Sequence, residues 1–375
     1  MRSWVLRAAC CVLFVATCRR SPEPPPALPP ANTIYDEIDL DDVDGSNLLS
    51  LARGASIVSR TAENTLENSA AHAIDGDWLS YWRSPPSGPE QTFVISLPAR
   101  ARIDRVGAII PPGAEVPPRV RFDASDDGAS WREIATLEPK QQRDPQLARV
   151  TPFNARYLRV ETIGRVSAYA AIRSLVAKGQ FIEPPRQPPI EGCWHINGMP
   201  ARFSRRGTSV AGVIGNDPPL YVLGGTDGRA IRVTWMRGKM WGPAILTLDP
   251  QRRALSGERW YERVREQNSG EGWFGVPAQC NEVAFNETKL AKAMLQRAGR
   301  WMAYGASAIE TLAEIVAQEP SKRFVVTVHS VAEEQAVRNA LRANLARVEI
   351  QNAGEAKGIT APQRAIADGV ELRAR

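Results

Sequence analysis

The sequence predicts a multidomain chain: a β-sandwich, then a small antiparallel β domain, then a compact α/β domain. Three observations carry that expectation. Short runs alternate apolar and polar residues from about Leu51 to Lys178, Pro-rich breaks stand before and after that region, and the apolar period becomes helical in the last third. With 375 residues the chain has room for two or three domains, and 43 % hydrophobic with 23 % charged residues is ordinary globular usage. The formal charge is +6, but only seven of the 47 basic residues are Lys and they form no basic stripe, so a nucleic-acid partner is not expected.

The chain opens with Arg2 and Arg7 around Trp4, followed by an apolar run from Ala8 to Ala16. Nine residues are too few to span about 30 Å of hydrocarbon but suit the apolar region of an export signal. Val15-Ala16-Thr17-Cys18 resembles a bacterial lipoprotein signal, with Thr17 where a smaller residue is usual. The resemblance implies a lipoprotein-type signal over residues 1–18 in which Cys18 is lipidated and becomes the first residue of the mature chain, hence a lipid-anchored envelope protein, in the outer membrane and facing periplasm or surface. Export also leaves Cys193 and Cys280 as an even pair in the mature chain. An oxidising compartment permits a bridge between them; two separate buried thiols are the alternative. No CxxC spacing supports redox or zinc chemistry.

Residues 19–48 read as a linker, Pro-rich between Pro22 and Pro30 and acidic from Asp36 to Asp44. The acidic stretch fails as an EF loop because Val43 and Ser50 stand where oxygen ligands are needed. Residues 49–178 form the sandwich, with strands expected at Gln91–Leu97, Val120–Ala124 and Tyr157–Glu161. A second Pro-rich break, Pro184 to Pro189, precedes the small β domain at 179–265. There the runs 219–223, 230–235 and 242–248 predict a sheet of hairpins, and Gly224-Gly225-Thr226-Asp227-Gly228 reads as a turn rather than a phosphate loop. In 266–375 the apolar stripe Leu290, Met294, Ala298, Ile309, Leu312, Ile315 and Val316 predicts a helix. A strand at Phe324–Val328, a second helix through Val337, Leu341 and Leu345, and strands at 348–350 and 369–373 follow.

Ser69-Ala70-Ala71-His72-Ala73-Ile74-Asp75-Gly76-Asp77, Tyr81-Trp82-Arg83-Ser84, Ser125-Asp126-Asp127-Gly128-Ala129-Ser130-Trp131 and Ala155 to Val160 resemble, in order, landmarks of the discoidin or coagulation-factor type C family. The resemblance implies a jelly-roll sandwich that binds carbohydrate or lipid headgroups through loops at one end, with a structural calcium ion nearby. Asp75 and Asp77 around Gly76 are the expected ligands of that ion, although turn formation explains them equally well. Trp78, Tyr81 and Trp82 are candidate sugar-stacking rings, and Arg83 and Arg121 candidate donors to hydroxyls. The competing reading makes Trp82 and Trp131 core plugs.

The helix at 309–316, the strand Phe324–Ser330, Arg338-Asn339-Ala340-Leu341 and Val370–Arg373 resemble a degenerate copy of the peptidoglycan-associating domain at the end of outer membrane protein A. The resemblance offers His329 and Arg338 as candidates for gripping peptidoglycan, but the family's Gly and anchoring Asp are missing beside His329. Three His in three domains and no Gly-x-Ser-x-Gly elbow leave no nucleophile site in view. Glu258, Glu262 and Glu266 are the first suspects for glycoside hydrolysis, and a solvated charged face is the better explanation of them. The expectation is a non-catalytic envelope lipoprotein that binds a glycan. The alternative is an assembly scaffold working through protein contacts, with a glycan-acting enzyme third.

Overall fold

The computed structural model describes residues 47–374, except 78–79, 87–89, 114–115, 143, 165, 167, 227, 262–269, 281–286, 304–305 and 354–369. Cys18, Trp78, Glu262 and Glu266 lie outside the described residues.

The first domain is built from β1 (Ser56–Arg60), β2 (Trp82–Arg83), β3 (Gln91–Ile109), β4 (Arg119–Ser125), β5 (Arg132–Leu137), β6 (Gln146–Ile163), β7 (Ala171–Ile172) and β8 (Ser174–Phe181). Six of them make an antiparallel sheet in the order β1-β3-β6-β4-β5, and β8 pairs along the second half of β3. The β2–β7 ribbon stands apart from that sheet. Alternation sends Phe93, Ile95, Ile103, Phe122, Leu158 and Val160 into one core, where β2 contributes Trp82.

The second domain closes on itself. Strands β9 (Gly192–Ile196), β10 (Met199–Arg206), β11 (Ser209–Ile214), β12 (Leu220–Thr226), β13 (Ile231–Arg237), β14 (Met240–Leu248), β15 (Leu255–Arg259) and β16 (Glu271–Ala278) form a closed antiparallel barrel. Its interior is filled by Trp194, Phe203, Val222, Trp235, Leu246, Leu255 and Trp273. The expected open sheet of hairpins is therefore a barrel, and it takes in β16, beyond the expected boundary at residue 265. Closure leaves no unpaired edge, which a free four-hairpin sheet would have. Cys193 and Cys280 are bridged, with Cα atoms 5.9 Å apart, beside the β9–β16 ladder that seals the barrel.

The third region contains α1 (Glu287–Ala298), β17 (Arg300–Ala303), α2 (Ala306–Gln318), β18 (Phe324–Val328), α3 (Val331–Ala340), β19 (Val348–Asn352) and β20 (Val370–Ala374). Its sheet runs β17-β20-β18-β19, with only β18 and β19 parallel. The apolar stripe expected as one helix is two, separated by β17. Gly299, at φ +74 with its N–H on Leu295 O, ends α1 as only a residue without Cβ does freely. Ala211, Leu223 and Met236 of the barrel share the core of this region with Leu312, Ile315 and Phe324. No helix among the described residues is long and apolar enough to cross a membrane.

Candidate functional site

The loop end of the sandwich gathers four of the relevant side chains. Tyr81 and Arg83 flank inward-pointing Trp82, so alternation puts them on the opposite side of the short β2 strand, and both are half-buried. The Arg83 guanidinium lies 4.6 Å over the Tyr169 ring. With the Asn64 amide turned so that its oxygen faces the guanidinium, Arg83 Nε donates to it at 3.2 Å. Two half-exposed phenol rings, a guanidinium and an amide thus share one rim, a set that offers stacking faces and directed hydrogen bonds.

Two expected members do not belong to this rim. Trp82 is fully buried, packed edge-on against Phe93 at 4.6 Å, and its Nε1 donates to Ala62 O at 3.3 Å. It is a core plug and not a stacking platform. Trp131, the other expected plug, is instead half-buried under the Arg159 guanidinium at 4.9 Å. Arg121 sits within β4, ion-paired to Glu161 and, at 3.4 Å, to Asp123, which places it in a charge ladder on the sheet. Near the same sheet, an open groove of about 800 Å³ is lined by Arg100, Asp127, Arg132 and Phe153. Its acidic groups are engaged: Asp126 with Arg100, Asp127 with its own turn, and Glu133 with the Thr136 hydroxyl.

Asp75 and Asp77 are both buried in the loop after a short helical turn, Ala70–Ala73. Ser69 caps that turn, and Glu63 Oε2 accepts the Ala70 N–H at 2.9 Å, which fixes His72 pointing inward. Asp75 Oδ1 accepts the Asp77 N–H at 2.8 Å, and Asp75 Oδ2 accepts the Ser80 hydroxyl at 2.5 Å. The third participant comes from the barrel. On β15 the interior takes Leu255 and Gly257, so Ser256 and Glu258 face outward, toward the sandwich. Ser256 Oγ lies 3.0 Å from Ser56 Oγ and accepts the Ile57 N–H at 2.9 Å.

Two residues further on, Glu258 reaches His72. His72 Nε2 and Glu258 Oε1 are 3.2 Å apart, both side chains entirely buried, yet their alignment is not that of a hydrogen bond. Neither ring nitrogen of His72 and neither carboxylate oxygen of Glu258 has a well-aligned hydrogen bond, although Asp75, the Gly270 N–H and the Trp260 indole lie close enough to bear on Glu258. Ligand atoms of His72, Asp75 and Glu258 all lie within 4.8 Å of one another, whereas Asp77 is not in that group. Burial above all pushes the Glu258 carboxyl up to about 8, with Asp77 adding to the rise and Asp75, the Gly270 N–H and the Trp260 indole opposing it. Asp75 is likewise held well above the ordinary aspartate range, first by burial and then by Glu258. The expected solvated face at Glu258 is thus replaced by a sealed acidic group, because the sandwich covers that face of the barrel.

The His72–Asp75–Glu258 group suits calcium poorly, since a hard ion takes six to eight oxygens and this group offers two carboxylates and an imidazole; the pair expected for calcium, Asp75 and Asp77, is a different set, both of its side chains buried in the loop. His72 and Glu258 were not legible as a pair, since 186 residues separate them and only the domain packing joins them. The Ala-rich setting of His72 was the one local sign of burial. In the third region His329 precedes Ser330, the cap of α3, and Arg338 lies about 12 Å further along the helix axis. Arg338 donates to Glu334 at 2.8 and 3.0 Å, so its fork already has a carboxylate.

Residues 56–175 match the F5/8 type C domain, and this part of the chain is a discoidin-like module of that family. The C-terminal domain of a chitobiase from Bacteroides fragilis is 28 % identical over 35 % of this chain and 96 % of that one, with a TM-score of 0.32. CBM32-3 from a family 31 glycoside hydrolase of Clostridium perfringens is 18 % identical over 35 % and 94 %, TM-score 0.32. Chitosan-binding module 1 of a chitosanase/glucanase from Paenibacillus sp. IK-5 is 18 % identical over 36 % and 98 %, TM-score 0.31. No curated protein matches the chain.

Proposed function

We propose that this chain is a non-catalytic glycan-binding protein of the cell envelope, held by a lipid on Cys18 and a Pro-rich tether, with its sandwich as the binding module. The observation that carries the reading is the half-exposed rim of Tyr81, Arg83, Tyr169 and Asn64 on an F5/8 type C domain. A phenol ring offers its electron-rich face to the C–H face of a pyranose, and Arg83, already oriented by Tyr169 and Asn64, donates to sugar hydroxyls at low entropic cost. Catalysis has no support at the buried carboxylates, because a pair sealed between two domains meets no substrate. The α/β region, whose candidate Arg338 is tied to Glu334, serves in this reading as a scaffold against the wall or an envelope protein.

Titration calorimetry of the mature, unlipidated chain against purified peptidoglycan and a panel of surface polysaccharides tests the proposal. Saturable binding that Tyr81→Ala and Arg83→Ala each weaken at least tenfold, with unchanged unfolding curves, is the expected result. Absence of binding to every glycan overturns it and leaves the scaffold reading, in which the exposed surfaces serve protein contacts.

A further inference from the structure

We propose that His72, Asp75 and Glu258 form a structural site for a divalent ion of the zinc class that clamps the sandwich to the barrel. The cluster draws its ligands from both domains, two from the loop around Ala70–Ala73 and one from the outer face of β15. Independently of that geometry, the ring nitrogens of His72 and the oxygens of Glu258 are fully buried and have no well-aligned hydrogen bond. A buried polar group without a well-aligned partner is costly, the more so when charged, and three of these four atoms offer lone pairs, which call for a partner that accepts them. A cation is that partner: every orphaned atom on Glu258 and one on His72 is a lone-pair donor.

Spacing and donor type select the ion. Ligands at about 2.0–2.1 Å from a tetrahedral centre stand about 3.3 Å from one another. His72 Nε2 and Glu258 Oε1 are 3.2 Å apart. One imidazole with two carboxylates is a borderline donor set, suited to zinc and its neighbours and poor for calcium or magnesium, which take oxygen. Three protein ligands leave a fourth position for an enclosed water, and the full burial of all three side chains gives the site a structural rather than a catalytic role. Ser80 and the Asp77 N–H, both on Asp75, orient that carboxylate from behind, as outer partners of metal ligands do.

The full mature chain, stripped with chelator and dialysed, is titrated with Zn²⁺ and separately with Ca²⁺, with retained metal counted by mass spectrometry. One tightly held Zn²⁺ per chain is expected, together with a higher melting temperature that chelator reverses. His72→Gln and Glu258→Gln should each lose at least 100-fold in Zn²⁺ affinity while retaining the far-ultraviolet spectrum of the wild type. No bound Zn²⁺ in the wild type, or equal binding in both variants, overturns the proposal. Ca²⁺ uptake indifferent to both substitutions also overturns it, and returns the ion to Asp75 and Asp77. Should the variants fail to fold, X-ray absorption of the Zn²⁺-loaded wild type decides: an imidazole in the first shell is expected, and a shell of oxygen alone refutes the site. None of these readouts depends on glycan binding.

Discussion

Neighbouring side chains on β2 have opposite fates, and that contrast makes the residue scale testable. Trp82 fills the sandwich core against Phe93, whereas Tyr81 and Arg83 border the rim. Trp82→Ala is expected to cost about 3–5 kcal/mol, the range for deleting a large buried aromatic, and Tyr81→Ala less than about 1 kcal/mol. Urea unfolding monitored by fluorescence and circular dichroism measures both. A small loss at Trp82 would put the ring back among the binding candidates. Sequence alone could not separate the two, because Trp78, Tyr81 and Trp82 form one aromatic cluster between polar neighbours and only strand alternation tells inside from outside.

Elements were legible where a local rule fixes them. The Ser125–Ser130 segment, which in the sequence stood only as a landmark of the family resemblance, turns by such a rule: Asp127 Oδ1 accepts the Ala129 and Ser130 N–H groups at 2.8 Å each and the Ser125 hydroxyl at 2.9 Å, holding the β4–β5 hairpin. Those donors, the Ser130 and Ala129 N–H groups first, hold the Asp127 carboxyl well below its ordinary value. A folded-state pKa below the unfolded one means the unfolded chain binds more protons in acid. The turn's contribution is therefore present above about pH 4 and is lost as pH falls through the folded pKa. Asp127→Asn should abolish that dependence and speed amide exchange in β4 and β5 at neutral pH, with little change in strongly acid solution. Unaltered exchange at neutral pH would show that the turn is held by the flanking strands alone. The element that escaped, β17, has four residues between two helices, too few for a period to show; its one signal was Gly299 after Ala298. Barrel closure escaped for a different reason: strand periodicity reports alternation, which hairpins in an open sheet and a closed barrel share.

Long-range partners were the hardest to read, since nothing local marks which faces of two domains meet. The bridge is an exception, because Cys193 and Cys280 are the only cysteines beyond the first 18 residues and so have few choices. It spans 87 residues, and by the chain-entropy account closing such a loop stabilises by about 4–5 kcal/mol. Cys193→Ser with Cys280→Ser should lower the urea midpoint of the barrel by a corresponding amount. An unchanged midpoint would mean that the β9–β16 ladder holds the seam by itself.

The sandwich–barrel interface decides whether these two domains behave as one body. Ile245 and Trp260 of the barrel side belong to the sandwich's core, Ser256 bonds across to Ser56 and Ile57, and Gln187 joins Gly54 O to the Leu248 N–H at 2.9 and 2.6 Å. Apolar burial continuous from one domain into the next removes the reason for separate unfolding. Gly272 on β16 lies so close to the Ser69 side chain that a Cβ there would overlap it, and Ser69 caps the turn carrying His72. Gly272→Ala leaves the barrel interior alone and pushes the His72 loop away from β15. Calorimetry of the full chain should show sandwich and barrel melting in one transition, which Gly272→Ala lowers by several degrees or splits in two. Zn²⁺, if it clamps the interface, should raise the wild-type transition and lose that effect in Gly272→Ala. Two transitions already present in the wild type would mean that the domains touch without cooperating, and would remove the structural reason for a ligand set drawn from both.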